Sequence, residues 1–336
     1  MAVQLRKIDE QVMVITGASS GIGLVTARTA AAKGAKVMLV ARSEEELGGI
    51  ARDINDAGGS AEYMVADVAD AEALTRVAAE TVKRFGRVDT WVNNAGVAIY
   101  GKLLDTPEDE HQRLFQTNYF GAVHGALAAV PVLKEAGGAL ITVGSIASDI
   151  ASPIMGVYSA SKHAVRAYVQ VLRIELKDMA PNISVSLVKP AGIDTPIGQH
   201  AANFAEGEAQ IPPPVYDPQI VADAILDCAV HPRRDITVGG AGRAQVLFAE
   251  HFPALFERLA PRKTQNLTDT SKEQPRPSNL FKGARAGEER SGEQEPKTFS
   301  VYTSAAKHPK ATAAVLLGSG LLAATAVLFA NGRKKD

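Results

Sequence analysis

From residue 11 to residue 240 the chain alternates short apolar, β-branched runs with longer stretches whose apolar residues recur at helical spacing. The runs at 12–16, 36–40, 61–66, 88–92, 139–143, 184–188 and 236–238 predict strands. Between most of them lie helix-length segments rich in Ala, Leu, Glu, Lys and Arg. Strands that alternate with helices predict right-handed βαβ units, and so an α/β, doubly wound parallel sheet of about seven strands. Several strands are apolar nearly throughout, as strands covered on both faces tend to be. Residues 242–260 predict one more amphipathic helix, interrupted at Pro253.

The pattern then breaks, and it divides the chain into four parts. A globular domain over 1–261 is followed by 262–310, rich in Lys, Arg, Glu, Gln, Ser and Pro and poor in large apolar residues. Such a composition buries too little surface to offset its ordering entropy, which predicts a disordered polar linker. Residues 311–330 carry no charge and no proline. As a helix, at about 1.5 Å per residue, they would cross the roughly 30 Å of a bilayer core, and they predict a transmembrane anchor. Its apolar side chains lie all round the helix, and the polar stretch before it argues against docking on the domain. Lys307 and Lys310 precede it and the basic tail 331–336 follows, so charge leaves its orientation open.

Composition changes this picture little. Of 336 residues, 46% are hydrophobic and 22% charged, the profile of a soluble domain, and the net charge of -1 gives no pull towards nucleic acid. One cysteine, Cys228, excludes an internal disulfide framework and reads as core packing. The seven histidines show no metal-ligand spacing, so no metal is expected. Residues 1–11 lack an apolar core, so nothing there points to secretion.

Candidate chemistry begins where the first strand runs into Gly17-Ala18-Ser19-Ser20-Gly21-Ile22-Gly23. Gly17 can make a tight turn, Gly21 admits a pyrophosphate close to the backbone, and Gly23 lets the following helix pack against the strand. The helix N-terminus then offers N–H groups and a partial positive charge to phosphates. The second strand ends Ala41-Arg42, where an acid would bond the ribose 2′-OH of NAD. A guanidinium there can pair with a 2′-phosphate, so NADP(H) is expected in preference to NAD(H).

Tyr158 and Lys162 stand one helical turn apart. An ammonium so placed favours the phenolate and lowers the tyrosine pKa, fitting Tyr158 to give a proton to a carbonyl oxygen or take one from an alcohol. Ser145 follows the strand at 139–143, on the sheet edge where ligands bind in open α/β folds, and its hydroxyl can hold the substrate oxygen.

Taken in order, Thr16–Gly23, Asp67-Val68, Asn93-Asn94-Ala95-Gly96, Asn118, Ser145, Tyr158 to Lys162 and Pro190-Ala191-Gly192-Ile193-Asp194-Thr195 resemble the short-chain dehydrogenase/reductase family over about residues 10–240. The resemblance implies a Rossmann-type fold and hydride transfer between a nicotinamide cofactor and a carbonyl or secondary alcohol. It implies that Thr16, Gly17, Ser19, Ser20, Gly21, Ile22 and Gly23 hold the phosphates. Asp67 and Val68 would contact the adenine, and Asn94, Ala95 and Gly96 the adenine-side ribose. Pro190, Gly192, Ile193 and Thr195 would hold the nicotinamide end, and Lys162 the nicotinamide ribose. Asn118 would hold a water in a proton relay. A homodimer or homotetramer through helices around 107–135 and 156–178 is implied as well. Ala191, where a glycine often follows the proline, is a minor departure; the chain after 262 is a larger one. An NAD(H)-linked alcohol dehydrogenase and a non-catalytic dinucleotide sensor are the competing readings, the second disfavoured because Tyr158 and Lys162 are both present.

The long segment from 193 to 218 contains Phe204, Ile211, Pro212, Pro213, Pro214, Val215 and Tyr216 and predicts a lid. With Ile146, Ile150, Ile154 and Met155 it predicts a moderately apolar small-molecule substrate. Asp149 and Asp194 read as solvated loop acids. The whole predicts a cytoplasmic catalytic domain held to a membrane by its C-terminus.

Overall fold

The computed structural model describes residues 3–308 other than 275–277 and 284–286, together with Thr312. The chain runs β1 (Val12–Thr16), α1 (Gly21–Ala32), β2 (Lys36–Ala41), α2 (Glu44–Asp56), β3 (Ser60–Val65), α3 (Ala71–Phe85), β4 (Thr90–Asn93) and β5 (Ile99–Tyr100). It continues with α4 (Glu108–Phe115), α5 (Gly121–Ala136), β6 (Gly138–Val143), α6 (Gly156–Met179), β7 (Ile183–Pro190), β8 (Ala202–Asn203), β9 (Glu208–Ala209) and α7 (Pro218–Val230). The last elements are β10 (Asp235–Val238), α8 (Gly240–His251), α9 (Pro253–Lys263), β11 (Thr268–Asp269) and α10 (Val301–Lys307).

Seven strands form one sheet in the order β10-β7-β6-β4-β1-β2-β3, and every pairing within it is parallel. The expected strands are therefore present, shifted by no more than two residues at their ends. Alternation across the pleat sorts the core into two layers. Met13 and Ile15 of β1 point into a cluster with Leu24, Leu39 and Ile225, under α1, α2 and α7. Val14 points the other way, with Met38, Leu74, Trp91, Leu133 and Val165, under α3, α5 and α6. Both faces are covered, which is why the strands read as unbroken apolar runs. Trp91 and Cys228 are core, each fully buried.

Local signals set the helix ends. Asp70 caps α3 by accepting from Ala73 N at 3.0 Å, and Gly86, at φ 87°, ends it. Asp217 caps α7 just before Pro218. The helix expected at 242–260 is two helices, α8 and α9, with the break at Phe252 and Pro253.

The sheet order reverses between β1 and β4. Ligands in open α/β sheets bind at such a switch point, beyond the carboxyl ends of the strands. A cavity of about 780 Å³ opens there.

The polar stretch expected as a disordered linker is, in its described residues, laid on the domain. Ser300 and Thr303 are buried against β10 and α8, Leu280 is fully buried beside Val97, Leu114 and Val157, and β11 pairs with β9. Its polar side chains find polar partners on the domain, so order there rests on hydrogen bonds and ion pairs more than on apolar burial. The anchor expected at 311–330 and the basic tail 331–336 lie outside the described residues apart from Thr312. Among the described residues no helix is long and apolar enough to cross a membrane.

Candidate active site

The glycine-rich turn leaves β1 with Gly17 at φ 66°. A Cβ on Gly23 would lie 2.1 Å from the Gly17 carbonyl oxygen and 2.5 Å from Asn94 Nδ2, so no side chain fits between α1 and the strand end. Thr16 and Asn94 stitch β1 to β4. Thr16 Oγ1 accepts from Asn94 N at 3.0 Å and Ala95 N at 3.1 Å, and Asn94 Nδ2 donates to the Thr16 carbonyl at 2.9 Å. Ser20 gives α1 no side-chain cap, so the first-turn N–H groups of this helix are left for other acceptors.

At the far end of β2, Arg42 lines the cavity together with Ser43, Asp67 and Val68. Burial pulls its guanidinium pKa down, Asp67 works against that fall, and the nearby Arg113 adds to it. Burial pushes the Asp67 carboxyl up, but the Ala69 N–H and the Arg113 and Arg42 guanidinia outweigh it and leave it below the usual range. Arg113 Nη2 meets Asp67 Oδ2 at 2.6 Å.

At the other end stand Ser145, Tyr158 and Lys162. Ser145 caps a 3₁₀ turn, Ile146–Ser148. Its Oγ accepts from Ala147 N at 3.1 Å, and its own N–H donates to Ser148 Oγ at 3.2 Å. This reciprocal cap fixes the serine rotamer at the cavity wall. Burial pushes the Tyr158 phenol above its usual pKa, and the hydrogen bond with Ser145 opposes it. The lowering expected from Lys162 is absent from this arrangement: its Nζ donates to the Val143 carbonyl at 3.0 Å and lies 5.7 Å from the centre of the Tyr158 ring. Lys162 is 5% exposed, and burial brings its own pKa down to about 8.

Asn118 is held in a single π turn, Gln116–Phe120, that joins α4 to α5. The extra residue of that turn breaks the helical register, and such turns recur at functional sites. Asn118 Oδ1 accepts from Val97 N at 2.9 Å, and its Nδ2 donates to Val97 O at 3.0 Å and to Ser161 Oγ at 3.1 Å. A second, much smaller void of about 10 Å³ lies between Asn118, Thr16 and Lys162.

The large cavity is bordered by Gly17, Ser19, Ser20, Gly21, Ile22, Arg42, Asp67, Val68, Asn94, Ala95, Gly96, Ser145, Tyr158, Lys162, Pro190, Gly192, Ile193 and Thr195. Thr16, Gly23 and Asn118 stand behind that wall. Of the residues expected to face substrate, Ile146, Ile150, Met155, Ile211 and Pro212 to Pro214 line the cavity. Ile154 does not; it sits at φ 52°, strained for a β-branched residue, with its carbonyl taken by Gly101 N at 2.6 Å. Phe204 is 40% exposed, and Val215 and Tyr216 are buried where the lid closes on itself, Tyr216 pairing with Gly192 and Asp194. The two loop acids are not solvated. Asp149 is buried between Lys189 at 2.6 Å and Arg166 at 2.6 Å, and Asp194 is 3% exposed and accepts from Ser291.

Several lining residues carry no signal in the sequence. Phe248 of α8, Phe256 of α9 and Leu267 complete the apolar end, because the α8–α9 hairpin folds back over the site. Arg113 reaches the Arg42 end from α4. The polar segment after α9 borders the cavity through Asn279 and Gly283. Arg42 donates to the carbonyls of Asn279, Leu280 (3.2 Å) and Lys282 (3.3 Å), and Arg113 Nε donates to the Leu280 carbonyl at 2.9 Å. Further on, Gly287 N donates to Ser19 O at 2.8 Å and Gly21 N donates to Glu288 O at 2.9 Å. Arg290 grips Asp217 with two contacts at 2.9 and 3.0 Å.

A doubly wound parallel sheet, a glycine turn at its switch point and a Ser-Tyr-Lys cluster at the far end of one cavity define a dinucleotide-type α/β oxidoreductase architecture. Residues 11–205 match the family model described as short chain dehydrogenase, and the chain belongs to that family of short-chain dehydrogenase/reductase enzymes. It is 40% identical over 327 residues to the uncharacterized oxidoreductase YxnA of Bacillus subtilis (strain 168), a match that covers 94% of this chain and 90% of the relative. The structure resembles an alcohol dehydrogenase from Thermococcus sibiricus complexed with 5-hydroxy-NADP, at 28% identity and a TM-score of 0.60, over 68% of this chain and 95% of that one. It also shares its fold with a short chain dehydrogenase/reductase from Burkholderia phymatum in complex with NAD, at 24% identity and a TM-score of 0.69, over 81% and 99% of the two chains.

Proposed function

We propose that the chain transfers a hydride between NADP(H) and an apolar carbonyl or secondary alcohol. The observation that carries this reading is the placement of Ser145, Tyr158 and Lys162 at one end of a cavity whose other end is the glycine turn and Arg42. The residues present fit such a cofactor. Gly23 leaves a cradle that a Cβ would fill, α1 starts without a side-chain cap, and Gly96 faces Lys162. When bound there, the nicotinamide supplies or accepts the hydride.

The chain's own groups do the rest. Tyr158, kept protonated by burial, gives its proton to the substrate oxygen in reduction, and Ser145 holds that oxygen. Lys162, near pKa 8, replaces the tyrosine proton, and a water in the void beside Asn118 links the lysine to solvent. Thr16, Gly17, Ser19, Ser20, Gly21 and Ile22 carry the phosphates, with Gly23 setting the approach of α1. Asp67, Val68, Asn94, Ala95 and Gly96 line the adenosine half, and Pro190, Gly192, Ile193 and Thr195 the nicotinamide half. Arg42 selects the 2′-phosphate. Ile150, Phe248 and Phe256 give the apolar end its preference for an apolar substrate.

Titration of the purified protein with NADPH and NADH tests this reading. Arg42→Ala is expected to weaken NADPH binding by about tenfold or more and leave NADH nearly unchanged. Equal loss of both, or tighter NADH than NADPH binding to the wild type, would move the reading to an NAD(H)-linked alcohol dehydrogenase.

Two properties of the whole protein belong to the same proposal. Phe120, Leu127, Val171 and Ile174 leave exposed apolar surface on α5, α6 and the turn between α4 and α5, which suits self-association into a homodimer or homotetramer. The uncharged run 311–330 suits a C-terminal anchor for a catalytic domain in the cytoplasm. Recovery of full-length protein wholly in a soluble fraction would remove the anchor from the account.

A further inference from the structure

Arg42 and Arg113 point two guanidinia at one place, and Asp67 balances only one of them. What they meet there is neutral: both donate to the Leu280 carbonyl, and Arg42 also to those of Asn279 and Lys282. Peptide oxygens carry partial charge only, so two converging cations are under-neutralised by them. The better partner for this geometry is an anion with several oxygens. The same segment carries an orphan of its own, since Asn279 Oδ1 is buried with no hydrogen-bond partner among the described residues. Past the cavity the segment is clipped to the glycine turn through Gly287 and Glu288, and to Asp217 through Arg290.

From this we infer that residues 278–283 form a strap that competes with the cofactor's 2′-phosphate for Arg42 and Arg113. The inference rests on the dinucleotide site proposed above. A 2′-phosphate ester takes the place of the three carbonyl oxygens and displaces the strap. A cofactor with a free 2′-hydroxyl offers no dianion to the two arginines and leaves residues 278–283 where they are, although the pyrophosphate of either cofactor takes the Gly21 N–H from Glu288. The strap thus sets the discrimination between the two nicotinamide dinucleotides, and only one of them releases it.

The test uses the full-length protein and two readouts. Amide hydrogen exchange over 278–283 is followed in the wild type with saturating NADPH, saturating NADH and neither. In parallel, both dinucleotides are titrated against the wild type and against Leu280→Ala, which removes the strap's buried anchor. Exchange is expected to rise with NADPH and not with NADH, and the variant is expected to bind NADPH about tenfold tighter while NADH changes by less than about twofold. Exchange that is unchanged or slower with NADPH would overturn the strap, as would an unaltered ratio of the two affinities in a variant that still binds both. Absence of saturation with either dinucleotide in the wild type would overturn the cofactor site itself, and the strap with it.

Discussion

The β1–α1 corner and the segment from 264 to 308 border the same cavity, yet they are held in place by different forces. β1 is buried along its whole length and its side chains enter both core layers. At roughly 25 cal/mol per Å² of apolar surface, such burial secures a strand with little help from particular partners. Among its described residues the later segment places two leucines, Leu267 and Leu280, in small core clusters beside the cavity. The rest is held by Arg42, Arg113, Arg28 and Arg290 reaching carbonyls or carboxylates. Half-buried hydrogen bonds of this kind contribute only about 0.5–3 kcal/mol net each. The corner is therefore a fixed wall of the site, and the segment is one that a competing anion can move.

The largest effect that would sharpen this contrast lies on the fixed wall. Tyr158→Phe removes the proposed proton donor and is expected to lower turnover by about 10³-fold at saturating dinucleotide, with cofactor affinity held. Turnover near the wild-type value would take the chemistry away from this wall. Gly23→Ala forces a methyl against the Gly17 carbonyl and is expected to cost about 3 kcal/mol in chemical denaturation, with loss of dinucleotide binding. A stable, binding-competent alanine variant would show the corner to be as pliable as the strap.

Lys162 gives a smaller effect with a defined sign. Its folded pKa, about 8, lies below the ordinary 10.5, so between these values the unfolded chain binds more protons than the folded one. Stability then rises with pH across that window, and the charged form is the one that burial penalises. Lys162→Met is expected to stabilise the protein at pH 7 by about 2 kcal/mol, and the gain should shrink steadily from pH 8 towards pH 10. A gain independent of pH would mean that packing, not charge, is responsible. The smallest effect is on the strap. Leu280→Ala is expected to lower amide protection across 278–283 by about 1–2 kcal/mol while leaving the global denaturation midpoint almost unchanged. Cooperative loss of both would erase the distinction between wall and strap.

The same contrast explains what could be read from the chain alone. Period-two and period-3.6 apolar patterns report burial, so all seven strands of the sheet and the break at Pro253 were legible. The glycine turn, Ser145, Tyr158 and Lys162 were legible because their chemistry depends on spacing within one element or at one strand end. Phe248, Phe256 and Leu267 were not, since only the tertiary fold brings them to the cavity, and neither was Arg113, which the fold brings to Asp67. Asp149 and Asp194 looked solvated because a loop acid shows nothing of Lys189, Arg166 or Ser291, each distant in sequence. The polar segment misled for a related reason. Its composition predicts too little apolar burial to order, and its order comes from guanidinium-to-carbonyl contacts that composition does not encode. The raised Tyr158 pKa also departs from what its spacing to Lys162 implies, because a lysine on the same helix face can point its Nζ at a strand carbonyl instead.

The most direct test of the central claim is a crystal structure of the full-length protein grown with NADP+. The account predicts the pyrophosphate on the turn from Gly17 to Gly23, the 2′-phosphate on Arg42, and the nicotinamide ring between Ile193 and Tyr158 with its reactive carbon facing the tyrosine hydroxyl. A dinucleotide bound elsewhere, or one whose nicotinamide lies away from Tyr158, would contradict it.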